Sequence, residues 1–548
     1  MEKNITTAAL LKVKSKRSKG KKTSIKLSFY LLLFIFALCL SCGSNPTDLR
    51  TVVPADALVY LQTNDMGKAV AAITQNKSFQ QLAKTQPDTS ELDGIKVAVA
   101  VTGFQTSEEA LTGENSVLNF QPRFVAVAET NAWNFQALSF TENKLGEFIN
   151  ETYGGEVVLE TSDKHGGKYF IWTAQDGRKA FALVRGSMIF FGNDESAIEK
   201  CLAVTRGEAD SIAQNPKITA LSADSLASGY VSTDGIAQIA NIAGISLAMG
   251  ASEEGEVKSF IARVLPEILR NSVTDVSWIA VTTGEGMQDR YSVTTNPGIT
   301  KIFNETLGES GFPDSGIEEL IPADAASITR YMFKNPQITW RSVLLTARNQ
   351  TDAISGSLIA AFSRSLFEPY GVENPELFLS SIGNRILTAR LDLEGEDVVV
   401  ISTVKNLENL RKSVAKEINF AKADKIEGAD VWKSKNGELA LASRDGKFVL
   451  GNAESVIKCL SARTQNSNSL EREYLRQFET PSAALTITKD IDPEAKLVEI
   501  LSERQNDKTA LIQYSITDTV FLKDGFKRRT VSDFGLIGSI IEQFGKEN

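Results

Sequence analysis

The chain has 548 residues, 59 of them Lys or Arg and 68 Asp or Glu, with four cysteines and one histidine. That length exceeds what a single hydrophobic core normally serves, so two or more domains are expected. One histidine without paired cysteines leaves no zinc site of the usual types. An acidic chain with no basic cluster beyond its leader is also a poor partner for a phosphate backbone, so nucleic acid is set aside.

In chain order, nine Lys or Arg residues come first, between Lys3 and Lys26, against one acid, Glu2. The apolar run from Leu27 to Leu40 follows, and its 14 residues fall short of the roughly 20 that a helix needs to cross a bilayer core. Small residues close it at Ser41-Cys42-Gly43-Ser44, which completes the order of a secretory signal. The last four residues, Cys39-Leu40-Ser41-Cys42, resemble the lipobox of bacterial lipoprotein precursors, whose cysteine is acylated and becomes the new amino terminus. The departure from that pattern is Cys39, where the family usually has Leu. The resemblance implies a signal peptide over 1–41, a lipidated stalk over 42–50 with Cys42 as the lipidation site, and a body held at a membrane by acyl chains. An uncleaved single-pass anchor is the alternative, and both place the body outside the cytoplasm. Without the leader, 50 bases face 67 acids, a net charge of −17.

The body reads as a tandem repeat. Val53-Pro54-Ala55-Asp56-Ala57 recurs as Ile321-Pro322-Ala323-Asp324-Ala325. Trp172 precedes Asp176-Gly177 by the spacing that separates Trp432 from Asn436-Gly437. Phe191-Gly192-Asn193-Asp194-Glu195-Ser196 answers Leu450-Gly451-Asn452-Ala453-Glu454-Ser455, Gly286 and Arg290 answer Gly525 and Arg529, and the helix start at Gly298 answers Gly535. All five recur in the same order, which predicts a first repeat over 51–307, a Gly-rich linker over 308–318 and a second repeat over 319–548.

Within the first repeat, Ile95 to Val101 alternates with period two and Phe124 to Val127 begins its partner strand. A helix near 142–152 and strands around Val157, Tyr169, Phe181 and Met188 come next. The second repeat reads as strands 386–393 and 398–404, a helix 407–418, then strands around Val431, Leu439 and Phe448. The predicted class is α+β: two tandem related domains, each mainly antiparallel sheet with packed helices.

Asn193 and Asn452 read as helix N-caps. Trp172 and Trp432 read as part of a packed sheet face rather than as sugar-stacking groups. Cys201 and Cys459 sit among apolar helix neighbours and read as buried free thiols, although an exported chain could oxidise them. His165 falls at a hairpin tip and has no counterpart in the second repeat. Ser413 and Lys416 fit a Ser-x-x-Lys spacing, but the same segment is more simply amphipathic. No Gly-x-Ser-x-Gly, Walker or Rossmann pattern is present.

A Pro-Ala-Asp-Ala start behind a lipobox-like leader, followed by hairpin, helix, strand meander and a Gly-Asn helix, resembles a broad group of uncharacterised bacterial envelope proteins known only as domains of unknown function. That resemblance implies location and fold type and brings no catalytic residue, cofactor or metal. The expectation is a lipid-anchored protein of the bacterial envelope, in the outer membrane or facing the periplasm. It would be a non-enzymatic binding or structural protein whose partners are the membrane and an envelope protein or glycan. The rival expectation is a carboxylate-dependent hydrolase acting on envelope polymers.

Overall fold

A computed structural model describes residues 48–544, except for 111–115, 222–223, 250–263, 265, 285, 309–315, most of 352–364, 393–396, 463–480, 492–494 and 503–511. Cys42 and the leader lie outside the described residues. The class is α+β, built on one large antiparallel sheet.

Among the described residues, ten strands come from the first half: β1 Val59–Thr63, β2 Lys96–Ala110, β3 Ser116–Glu129, β4 Val158–Lys164, β5 Gly167–Thr173, β6 Lys179–Arg185, β7 Met188–Gly192, β8 Ala227–Val231, β9 Val273–Thr283 and β10 Gly286–Thr295. Ten come from the second: β11 Ser327–Met332, β12 Ile382–Arg390, β13 Val398–Val404, β14 Asp424–Ile426, β15 Ala429–Lys433, β16 Leu439–Arg444, β17 Lys447–Asn452, β18 Ala484–Ile491, β19 Ile512–Leu522 and β20 Gly525–Ser532. From one edge the spatial order is β4, β5, β6, β7, β3, β2, β1, β8, β9, β10. It continues through β20, β19, β18, β11, β12, β13, β17, β16, β15 to β14. Each strand of the first half thus has a counterpart ten places later in the chain with the same neighbours. The two series meet where β10 pairs with β20, and there Arg290 stands directly opposite Arg529.

Side chains directly opposite on neighbouring strands share a face of a sheet. On what we call the upper face, Tyr60, Ala98, Ala100, Val125, Val127, Leu183 and Phe190 pack under the helix Glu195–Thr205 together with Leu49 and Val53. A second upper core joins Ile328, Leu387, Val399, Ile401 and Val449 with the helix Ala453–Ala462, Ile317 and Ile321. Leu49, assigned by sequence to the stalk, and Ile317, assigned to the linker, are both fully buried in these cores.

The lower face carries three cores. Phe170, Trp172 and Val184 meet the helical stretch 134–152 at one end. Trp432, Leu441 and Phe448 meet the helices Pro375–Ser381 and Leu407–Ser413 at the other. Between them Trp278, Ala280 and Met287 of the first half pack with Phe79, Leu82, Leu497, Val498 and Phe534, so this core draws on both halves. The helix predicted over 407–418 is interrupted, because Val414 and Ala415 are extended before a short second turn, Lys416–Asn419.

The helix that follows each final strand crosses to the other half. The helix Pro297–Thr306, after β10, lies on β19 and β20, where Phe303 stacks on Phe521 with ring centroids 4.9 Å apart and Asn304 Nδ2 donates to the Leu522 carbonyl at 2.7 Å. The helix Gly535–Phe544, after β20, lies on β9 and β10, and its Leu536 N–H donates to the Asp289 carboxylate at 2.8 Å. The recurring glycines allow this junction. A Cβ at Gly525 would lie 1.8 Å from the Val293 carbonyl oxygen, and one at Gly286 would lie 2.6 Å from that of Ser532.

Replacement Gly525→Ala is expected to force β10 and β20 apart and cost about 2–3 kcal/mol. Urea unfolding of the variant checks this, and an unchanged midpoint would contradict the account.

Candidate functional site

Most residues that recur between the halves are engaged by the fold. Asp56 pairs with Lys200 at 2.6 Å, and Asp324 pairs with Lys458 at 2.5 Å, so the acid of each Pro-Ala-Asp-Ala segment ties the strand entry to the upper-face helix. A Cβ at Gly192 would meet the Phe124 carbonyl oxygen at 2.4 Å, and one at Gly451 the Val398 oxygen at 2.1 Å, which explains the glycine before each Asn. Asn452 caps its helix, accepting from Glu454 N at 3.0 Å. Asn193 does not, which corrects the expectation: Asp194 is the cap, accepting from Ser196 N at 2.8 Å. The extra side chain frees Asn193 to clamp β3, accepting from Phe124 N at 3.0 Å and donating to the Pro122 carbonyl at 2.8 Å.

Trp172 and Trp432 are both buried in the lower face, but they do not occupy matching rungs. Trp432 pairs with Leu441, whereas Trp172 pairs with Ala180; in the first half it is Phe170, opposite Ala182, that holds the place of Trp432. Equal spacing to the turn misleads because the two hairpins differ in length. His165 is at the β4–β5 turn with φ of 55°, yet it folds back so that Nε2 lies 2.8 Å from Glu199 Oε1. Ser413 is fully buried and donates to the Leu410 carbonyl at 2.6 Å.

Cys201 and Cys459 are free, buried and in different cores. Burial pushes both thiols up to about 12. Among the described residues no three His, Cys, Asp or Glu side chains are grouped as a metal site.

Sequence reasoning missed the charges gathered around the junction. Gln62, Ser228, Ile279, Arg290, Arg529, Asp518, Leu485 and Arg330 stand opposite one another on consecutive strands from β1 to β11, all on the upper face. Arg330 is fully buried and donates to Ser482 Oγ at 2.7 Å. Beside it Glu318 pairs with Arg385, and Asp518 pairs with Arg529. Burial, with help from Arg385, lowers the Arg330 guanidinium to about 10, while Glu318 and Asp518 oppose that shift. The matching place in the first half holds Gln62, which accepts from the Tyr60 hydroxyl and donates to Asn64.

The β19–β20 hairpin also corrects the expectation of no basic cluster beyond the leader. Lys523, Lys527, Arg528 and Arg529 fall within seven residues, accompanied by Asp524. Strand pairing then sets Arg290 beside them, a proximity that lies 239 residues away in sequence and becomes visible only when the Gly286 and Gly525 segments are matched.

Two other buried acids, Asp289 and Asp275, have donors. Asp289 accepts from Trp278 Nε1 at 2.7 Å and from Leu536 N, although burial still raises its carboxyl. Asp275 takes Lys217 and Thr294. Acids perturb one another at Asp397, where burial first, then Asp392 and Glu454, raise the carboxyl.

With this geometry in hand, comparison with protein-family models, curated proteins and solved structures finds no match.

Both thiols are expected to resist iodoacetamide in the native protein and to react on unfolding, as mass spectrometry would show. Their pKa rises from 9.0 to about 12 on folding, so their contribution to stability is complete below pH 9 and is lost as pH climbs toward 12. A Cys201→Ala, Cys459→Ala variant should therefore lose less stability than the parent over that window in urea titrations, and a parallel loss would refute the assignment.

Proposed function

We propose that the chain is an exported bacterial lipoprotein, cut before Cys42 and held on an envelope membrane by acyl chains there. Its body is a tandem pair of related domains that act as a non-enzymatic binding or structural element for an envelope protein or glycan. The anchor reading is supported by the basic leader, the short apolar run and the small-residue site at Ser41-Cys42-Gly43. The duplicated reading is supported by the order of strands, which repeats rank for rank across twenty strands.

One observation carries the non-enzymatic reading: what recurs in both halves does structural work. The paired Asp56 and Asp324, the close-approach glycines and the Asn side chains bonded to backbone hold strands and helices in place. A duplicated enzyme retaining two centres would be expected to repeat nucleophiles or acid–base groups instead.

Metabolic labelling with a fatty acid tests the anchor. The parent chain should take up label, and Cys42→Ser should abolish it and release or misprocess the protein; label retained on the variant would defeat the assignment. Cross-linking in intact cells, followed by identification of the linked species, tests the binding role.

A further inference from the structure

The two upper-face cores leave the middle of the sheet uncovered by described residues. They stop at Tyr230 on one side and at Tyr514 and Ile516 on the other. Between those limits Arg290, Lys527 and Arg529 are exposed, and Ile279, Val281, Val520, Val531 and Ser292 are half-buried. Arg290 faces Arg529 across the strand pair and Lys527 faces Ser292, so three cations form one strip. Like charges directly opposite in a sheet are unfavourable. Asp518 offsets Arg529, and Gln288 holds Arg290 Nε at 2.5 Å, but the strip keeps a surplus of positive charge in a body that is otherwise strongly acidic.

Cations on the flanking caps are matched locally, while Asp392, Asp397 and Glu454 leave the second cap with an acidic group. Lys200 meets Asp56, Lys458 meets Asp324 and Lys164 meets Glu195. A negatively charged surface approaching the upper face would therefore be drawn mainly to its centre.

The entry of the chain gives that face a direction. Leu49 and Val53 are part of the upper core of the first half, and Asp48 caps the turn that begins at Leu49. The six residue-to-residue steps from Cys42 to Asp48 span at most about 20 Å when extended. From β1 to β10 is three strand spacings, about 15 Å. The entry of the chain at Asp48 and Leu49 and the basic strip consequently lie on one side of the sheet, at a separation that so short a tether and a single membrane surface can serve.

We propose that the upper face is the membrane-facing side of the protein and that Arg290, Lys527 and Arg529 bind the headgroups of anionic phospholipid. This rests on the lipoprotein reading of Cys42. Acyl chains tether the body, and the strip sets its orientation, each basic side chain near the surface adding electrostatic attraction that salt screens.

The test uses the mature chain, residues 42–548, produced with Cys42→Ser so that no acyl chain contributes. At low salt it should sediment with phosphatidylglycerol vesicles and not with phosphatidylcholine vesicles, and half-molar salt should release it. Arg290→Gln with Lys527→Gln should weaken binding roughly 30-fold. Lys144→Gln with Lys301→Gln, the same charge change on lower-face helices, should leave it within about two-fold. Unchanged unfolding midpoints exclude a folding defect in either pair. Equal losses in the two pairs, equal binding to both vesicle types, or binding to soluble heparin without binding to vesicles would overturn the proposal. Fatty-acid labelling in cells reports separately on Cys42: label without vesicle binding removes the orientation alone, whereas absence of label removes the anchor.

Discussion

Antiparallel pairing of β10 with β20 is the contact on which the rest of the molecule depends. It turns what would be two exposed edges into an interior ladder running from Met287 opposite Ser532 to Thr294 opposite Gly525. An uncovered edge offers unpaired N–H and C=O groups to any passing strand, so each half shields the other. The crossed helices strengthen the same junction. On the lower face Phe303 of the first half stacks on Phe521, while Phe534 and Leu497 of the second half complete the core around Trp278 and Met287.

Symmetry in the strand order does not extend to the charges. Where the first half has neutral Gln62 bonded to Tyr60 and Asn64, the second has Arg330 buried beside the Glu318–Arg385 and Asp518–Arg529 pairs. Burying such groups is costly unless each is well paired, and replacement by apolar residues is often as stable. The second half thus carries a polar knot under the edge of the open strip, and the first half carries a lighter hydrogen-bonded version of it.

Much of the strand content was legible because the runs are local: the meander from Val158 to Gly192 and its partner from Asp424 to Asn452 announce themselves by alternation and turn residues. The repeat also gave the junction away in principle, since Gly286 and Gly525 recur for a steric reason. Other features were hidden by physical causes. Alternation of Val97, Val99 and Val101 marks β2 as a strand, but it is Ala98 and Ala100 that lie fully buried beneath the upper helix while the valines on the other face are half-buried. The helices Met66–Thr74 and Pro336–Asn349, each following the first strand of its half, went unread because no sequence motif recurs between them. The basic strip depends on pairing between residues more than two hundred positions apart, which periodicity cannot report.

The shared lower core has a consequence for the order in which the chain can fold. Trp278, Ala280 and Met287 are made just past the midpoint and Phe79 and Leu82 well before it, but the side chains that complete the core, Leu497, Val498, Phe534 and Ile537, come from the last tenth of the chain. The outer meanders, each with its own helices, hold local cores and can form early. The centre must wait for the carboxyl terminus. A chain built this way completes its central core only when its final helix arrives.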